Sequence, residues 1–117
     1  MAAKDVLGRR GEEWAEAFLR DAGYAILDRN WRCGEGELDI VAADGAETVF
    51  VEVKTRSGLR YGHPFEAIGG RKLARLRRLA AAWCQAHPGR HDRIRIDAIA
   101  VVADGVEPRI EHLRGVF

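Results

Sequence analysis

The segment Gly36 to Arg56 concentrates the residue types that metal-assisted hydrolysis needs. Asp39 lies in Gly36-Glu37-Leu38-Asp39-Ile40, and Glu52 and Lys54 lie in Phe50-Val51-Glu52-Val53-Lys54-Thr55-Arg56. Mg²⁺ takes a few carboxylate oxygens and several waters in octahedral geometry, a share that Asp39, Glu52 and a backbone carbonyl such as that of Val53 could supply, with Mn²⁺ as a substitute. A cation held there polarises a phosphoryl oxygen and acidifies water, while Lys54 orients the nucleophile or balances developing charge. The same Glu-x-Lys spacing also suits ordinary cross-strand ion pairs on an exposed sheet, so the short pattern does not decide alone.

What decides is whether these side chains share a face. Alternation along a strand places Glu37, Asp39 and Val41 on one side, and Phe50, Glu52 and Lys54 on one side of the next strand. If Asp44-Gly45 forms a two-residue loop, Ala43 pairs with Ala46, Asp39 with Phe50 and Glu37 with Glu52, and the acids and Lys54 coincide. A four-residue loop keeps that parity, whereas a three-residue loop moves Asp39 to the face of Val51. Carboxylates gathered on one patch repel one another, and a hard divalent cation relieves the cost.

The elements that would position this patch are legible along the chain. Leu7, Trp14, Phe18 and Leu19 recur at helical spacings, which predicts a helix over 5–22 that Gly23 stops. Strands are expected over 24–31, 37–43 and 47–55 as an antiparallel meander. Residues 57–70, with four glycines and Pro64, form a loop leading to a helix over 71–86, buried through Leu73, Leu76, Leu79, Ala80 and Trp83. A strand over 93–102 follows, then a turn at Asp104-Gly105 and an edge strand over 106–113, since Pro108 suits an edge. The order α-β-β-β-α-β-β gives an α/β (α+β) fold, a central mixed sheet of about five strands flanked by helices.

At 117 residues the chain has the size of a single domain, 1–117. No apolar run approaches the roughly 20 residues that span a bilayer, and Met1 to Asp5 has no signal-peptide character, so no membrane and a cytoplasmic location are expected. Cys33 and Cys84 lack paired spacing and read as reduced thiols. The net charge of +1 hides a local excess: eight basic residues against one acid, Glu66, between Lys54 and Arg78. Lys72, Arg75 and Arg78 follow helical spacing and could meet successive phosphates, with Arg56 and Arg60 leaving the third strand nearer the chemistry. A solubilising helix face would have the same spacing. His87 and His91 are read as surface-loop residues rather than a zinc pair, because Pro88-Gly89 breaks any helix between them. Asp97, in an apolar strand, is expected to bond a backbone group of the first helix. Trp14 and Trp83 are expected in the core, while Trp31 at a strand end keeps some weight as a stacking residue.

Taken in order, Asn30-Trp31-Arg32, Gly36-Glu37-Leu38-Asp39-Ile40, Phe50-Val51-Glu52-Val53-Lys54-Thr55-Arg56, Tyr61-Gly62-His63-Pro64-Phe65-Glu66-Ala67, Arg71-Lys72 and Arg95-Ile96-Asp97-Ala98-Ile99-Ala100-Val101 closely resemble the YraN family of bacterial endonuclease-like proteins. That family looks like a branch of the restriction-endonuclease-like PD-(D/E)xK superfamily and is similar to archaeal Holliday-junction resolvases in having a first-helix glutamate, here Glu12. The resemblance implies that Asp39, Glu52 and Glu12 hold the metal and that Lys54 is the catalytic lysine. Glu37 belongs to the family's own Gly-Glu-x-Asp motif and is a candidate for support behind the ligands. Gly69-Gly70 stands where a Thr-Pro helix start is more familiar, which alters the second helix's cap.

The resulting expectation is an Mg²⁺-dependent nuclease acting on DNA, selective for branched or unusual structure rather than for sequence, since so short a domain has little room for base reading. Similarity to resolvases raises a homodimer, because two symmetric cuts need two sites. The competing expectation is a non-catalytic or partner-dependent nucleic-acid-binding module on the same fold.

Overall fold

The computed structural model describes residues 3–60, 62–89, 91 and 93–116; Met1, Ala2, Tyr61, Arg90, Asp92 and Phe117 lie outside the described residues. Helix α1 spans Ala3–Asp21, followed by β1 (Ala25–Cys33), β2 (Gly36–Asp44) and β3 (Glu47–Arg56). A short 3₁₀ turn, Pro64–Ala67, leads to α2 (Gly70–Ala86), then β4 (Ile94–Val102) and β5 (Arg109–Leu113). The expected element order is therefore the observed one. The largest boundary shift is in β5, which starts at Arg109, directly after the proline that cannot donate to a ladder.

The strands form one sheet in the order β1-β2-β3-β4-β5, with β3 and β4 parallel and every other pair antiparallel. The parallel pair follows from connectivity: β3 reaches β4 through α2, the helical crossover that parallel neighbours require. A helix lies against each side. Ala15 and Leu19 of α1 pack with Tyr24, Ile40, Val49, Val51, Ile99 and Val101. Leu76, Leu79, Ala80 and Trp83 of α2 pack with Val41, Phe50 and Ile96 on the opposite side. Helix α1 ends where Gly23, at φ 94°, turns the chain, and the Tyr24 N–H reaches back to the Leu19 carbonyl at 2.9 Å. Helix α2 starts at Gly69, which offers no side chain to cap it.

The β2–β3 hairpin turns through Gly45 and Ala46, with Asp44 paired to Glu47 and Ile40 to Val51. This register is two residues from the expected one. The loop still has two residues, because Gly45 at φ 60° takes the first loop position, where a primed hairpin turn demands positive φ. A slip of two preserves every side chain's face, so Asp39, Glu52 and Lys54 still share one side while the cross-strand partners change. Glu37 is not opposite Glu52; in the observed count the position facing Glu52 is that of Asp39.

Trp31 packs partly buried against the α2 side rather than standing free at a strand end. His87 and His91 are half-buried as well: His87 stacks on Trp83 at 4.2 Å between ring centroids, and His91 hydrogen-bonds the His87 carbonyl at 2.7 Å. Asp97, fully buried, bonds Arg95, His112 and the Gly115 N–H rather than a first-helix backbone group.

Candidate metal and phosphate site

The site lies where the sheet divides. Pairing between β2 and β3 ends at Ile40 and Val51, yet β2 stays paired to β1 as far as Gly36, and β3 stays paired to β4 as far as Arg56. The two central strands thus part into a fork, with Glu37 and Asp39 on one prong and Glu52 and Lys54 on the other. At the vertex Asp39 Oδ2 accepts a hydrogen bond of 2.9 Å from the backbone N–H of Val53. A side-chain oxygen replaces the ladder acceptor that the departing strand no longer supplies. A strand residue directs its N–H and C=O to the same neighbour, so the Val53 carbonyl also opens towards the fork.

Charge accumulates there. Burial, then the neighbouring Glu52 carboxylate and more weakly Glu12, push the Asp39 pKa from 3.8 up to about 8, against the pull of the Val53 N–H. Glu52 is itself 8% exposed. Glu12 enters from α1, and oxygens of Glu12, Glu37 and Asp39 lie within 4.8 Å of one another. Glu37, expected behind the ligands, stands among them, whereas Glu52 meets Asp39 from the other prong.

Two features bring Glu12 in. At Gly11 a β-carbon would fall 1.8 Å from Thr55 Oγ1, so glycine is what lets α1 lie this close to β3. Asn30, on β1, has φ 51°, a left-handed conformation that asparagine tolerates better than other side chains. Its amide donates to Glu12 Oε1 at 2.7 Å and to Glu37 Oε1 at 3.1 Å. Arg29 lies 3.5 Å from Glu12, and Arg32 lies 2.6 Å from Glu37, which hold the acids from behind. Sequence reasoning gave Gly11 and Asn30 no role. The one signal was Asn30, a poor strand former in the middle of a strand.

The cations divide into two groups. Lys72 of α2 reaches the site itself: its Nζ lies 3.6 Å from Glu52 Oε1, with the two side chains 19% and 11% exposed. Burial, then the adjacent Lys54 ammonium, lower its pKa despite the Glu52 charge. Arg71, Lys72, Arg75 and Arg78 line a cleft of about 440 Å³ along α2. Arg78 also pairs with Glu35 at 3.1 Å in an exposed contact of the kind worth roughly 0–1 kcal/mol. Arg56 is half-buried and donates to the Thr55 carbonyl at 3.1 Å, and Arg60 is exposed in the turn after β3.

A hard divalent cation fits this donor set. Every acidic donor is a carboxylate oxygen, the added backbone donor is a carbonyl, and the Glu52 and Glu12 carboxylates add to burial in raising the Asp39 pKa, a cost that a cation would relieve. Glu12, Glu37 and Asp39, whose oxygens lie together, would hold it, with Glu52 and the Val53 carbonyl facing the same space from β3.

A family model described as "Uncharacterised protein family UPF0102" matches residues 11–101, which include Glu12, Asn30, Asp39, Glu52, Lys54 and Lys72. A UPF0102 protein from Arthrobacter sp. (strain FB24) is 62% identical over 99% of both chains. One from Frankia alni is 58% identical over all of this chain and 98% of its own, and one from Clavibacter michiganensis subsp. michiganensis is 51% identical over 97% and 98%. On that match and those near full-length similarities, the chain belongs to the UPF0102 family.

Proposed function

We propose that this protein is a metal-dependent nuclease that hydrolyses phosphodiester bonds in DNA, selecting structure rather than sequence. The observation that carries the reading is the fork: two acids face one another across parting strands, with Lys54 two residues beyond Glu52 and a basic cleft running from the same place. A sheet that needed only stability gains nothing from holding Asp39 at a pKa of about 8. The resemblance to YraN and PD-(D/E)xK proteins supports the same assignment of roles.

When bound, Mg²⁺ or Mn²⁺ would supply Lewis acidity to a phosphoryl oxygen. Asp39 and Glu52 fix the position of charge in the fork, Glu12 closes it from α1, and Asn30 keeps Glu12 and Glu37 from rotating away. Lys54 orients the attacking water or balances charge that develops on the phosphate. The α2 cleft guides the nucleic-acid backbone.

The test is incubation of purified protein with junction, flap, single-stranded and duplex DNA in Mg²⁺ or Mn²⁺, beside Glu52→Ala and Lys54→Ala. Cleavage of at least one substrate by the wild type, lost in both variants, is expected. Salt-sensitive binding without cleavage by the wild type would favour a binding module on this fold instead.

A further inference from the structure

We infer that Lys72 is a second lysine of the same site, binding the phosphate at which the strand is cut, so that this strand runs on along α2 past Arg75 and Arg78. The inference rests on the nuclease reading and deepens it.

Lys72 belongs to α2, which covers the face of the sheet that carries Phe50, Glu52 and Lys54, and its ammonium is 3.6 Å from Glu52 and beside Lys54. An exposed lysine on a solubilising face would extend into water and keep its rotamer freedom. Here a four-carbon side chain is largely buried at a site already crowded with charge. Glu52 is its only acidic partner among the described contacts. If a cation occupies the fork, the Glu52 charge is shared with it, and Lys54 and Lys72 remain as adjacent positive groups facing the same space. An oxyanion between them relieves that repulsion, and a phosphodiester brings one.

Geometry extends the contact into a path. Lys72, Arg75 and Arg78 advance along α2 by about 9 Å at 1.5 Å per residue, between two and three nucleotides of one strand at about 3.4 Å each. They line one continuous cleft with Arg71. The Glu35 contact of Arg78 is exposed and easily exchanged for a phosphate. In the hydrolysis, water oxygen bonds to phosphorus, the bond to one bridging oxygen breaks, the water loses a proton and the departing oxygen gains one. Lys72 takes no proton in this step; its charge offsets the negative charge on the phosphoryl oxygens.

Two measurements on the full chain test this. In Mg²⁺, steady-state cleavage by Lys72→Met is expected to lose about a hundredfold in kcat with a small change in KM, while Arg75→Met raises KM more than it lowers kcat. In Ca²⁺, anisotropy of a labelled oligonucleotide across a salt series is expected to show the slope of log affinity against log salt reduced by about 0.9 in Lys72→Met and restored in Lys72→Arg. An unchanged salt slope in Lys72→Met overturns the phosphate contact, and a loss confined to KM overturns its place at the cut. If the wild type cleaves nothing, the nuclease reading fails and so does the place at the cut; the salt slope then decides whether Lys72 holds a phosphate at all.

Discussion

Asp39 Oδ2 accepts a 2.9 Å hydrogen bond from the backbone N–H of Val53 at the vertex where β2 and β3 stop pairing. That bond makes a gap in the sheet into a fixed structural feature. It anchors one acid against the strand that carries the other.

The raised Asp39 pKa gives metal-free stability a defined pH dependence. A carboxyl raised in the folded state contributes fully below its ordinary 3.8 and loses that contribution as pH rises through about 8. Urea unfolding in EDTA is therefore expected to show this part of the stability declining between these values, with Asp39→Asn flattening the decline. Adding Mg²⁺ at pH 8 is expected to restore stability in the wild type alone.

Gly11→Ala tests how closely α1 must approach. Alanine normally gains about 1 kcal/mol over glycine inside a helix. Here its β-carbon meets Thr55 Oγ1 at 1.8 Å, and such overpacking costs about 1–3 kcal/mol. A net loss of stability by denaturant unfolding is expected, together with weaker Mn²⁺ binding by calorimetry, because displacing α1 carries Glu12 away. Partial recovery in Gly11→Ala with Thr55→Ala would identify the clash as the cause.

Asn30 separates backbone strain from side-chain support. Asn30→Gly keeps the left-handed backbone without strain, whereas Asn30→Ala costs about 1 kcal/mol more in that conformation. Both remove the amide that holds Glu12 and Glu37. Both are expected to weaken Mn²⁺ binding by about tenfold or more, the usual effect of losing a group that orients metal ligands. Equal Mn²⁺ affinity in Asn30→Gly and wild type would show that the amide does not organise the acids.

Element order was legible in the sequence because helical and alternating apolar periods are strong from Leu7 to Val102. Hairpin parity was legible too, since any two-residue loop near Gly45 leaves Asp39 and Glu52 on one side. The register was not: Asp44-Gly45 and Gly45-Ala46 are both plausible two-residue turns, and the choice depends on where Gly45 takes its positive φ. The fork was also invisible, because the end of a ladder is set by how two strands diverge in space. Lys72 looked like one more member of a basic helix face, and only the packing of Leu76 and Leu79 against the sheet turns it towards Glu52.

Asp97 provides a prediction about stability away from the fork. Burial raises its pKa, but His112, Arg95 and the Gly115 N–H together hold it below the ordinary 3.8. Its contribution is present above that value and lost as pH falls through the lower folded one. Asp97→Ala takes one carboxylate from Arg95, which keeps Asp44 and Glu47, and leaves the Gly115 N–H without its acceptor, and a loss of about 1–3 kcal/mol is expected in urea unfolding at neutral pH.

The central claim is that the fork is a divalent-cation site for phosphodiester hydrolysis. Single-turnover cleavage of a labelled DNA junction across a Mg²⁺ titration, by wild type and Asp39→Asn, tests it most directly. The expected result is cleavage that rises with Mg²⁺, stops in EDTA and falls by at least about a hundredfold in Asp39→Asn. Cleavage that persists in EDTA or in Asp39→Asn, or a wild type that leaves the junction intact at every Mg²⁺ concentration, would contradict it.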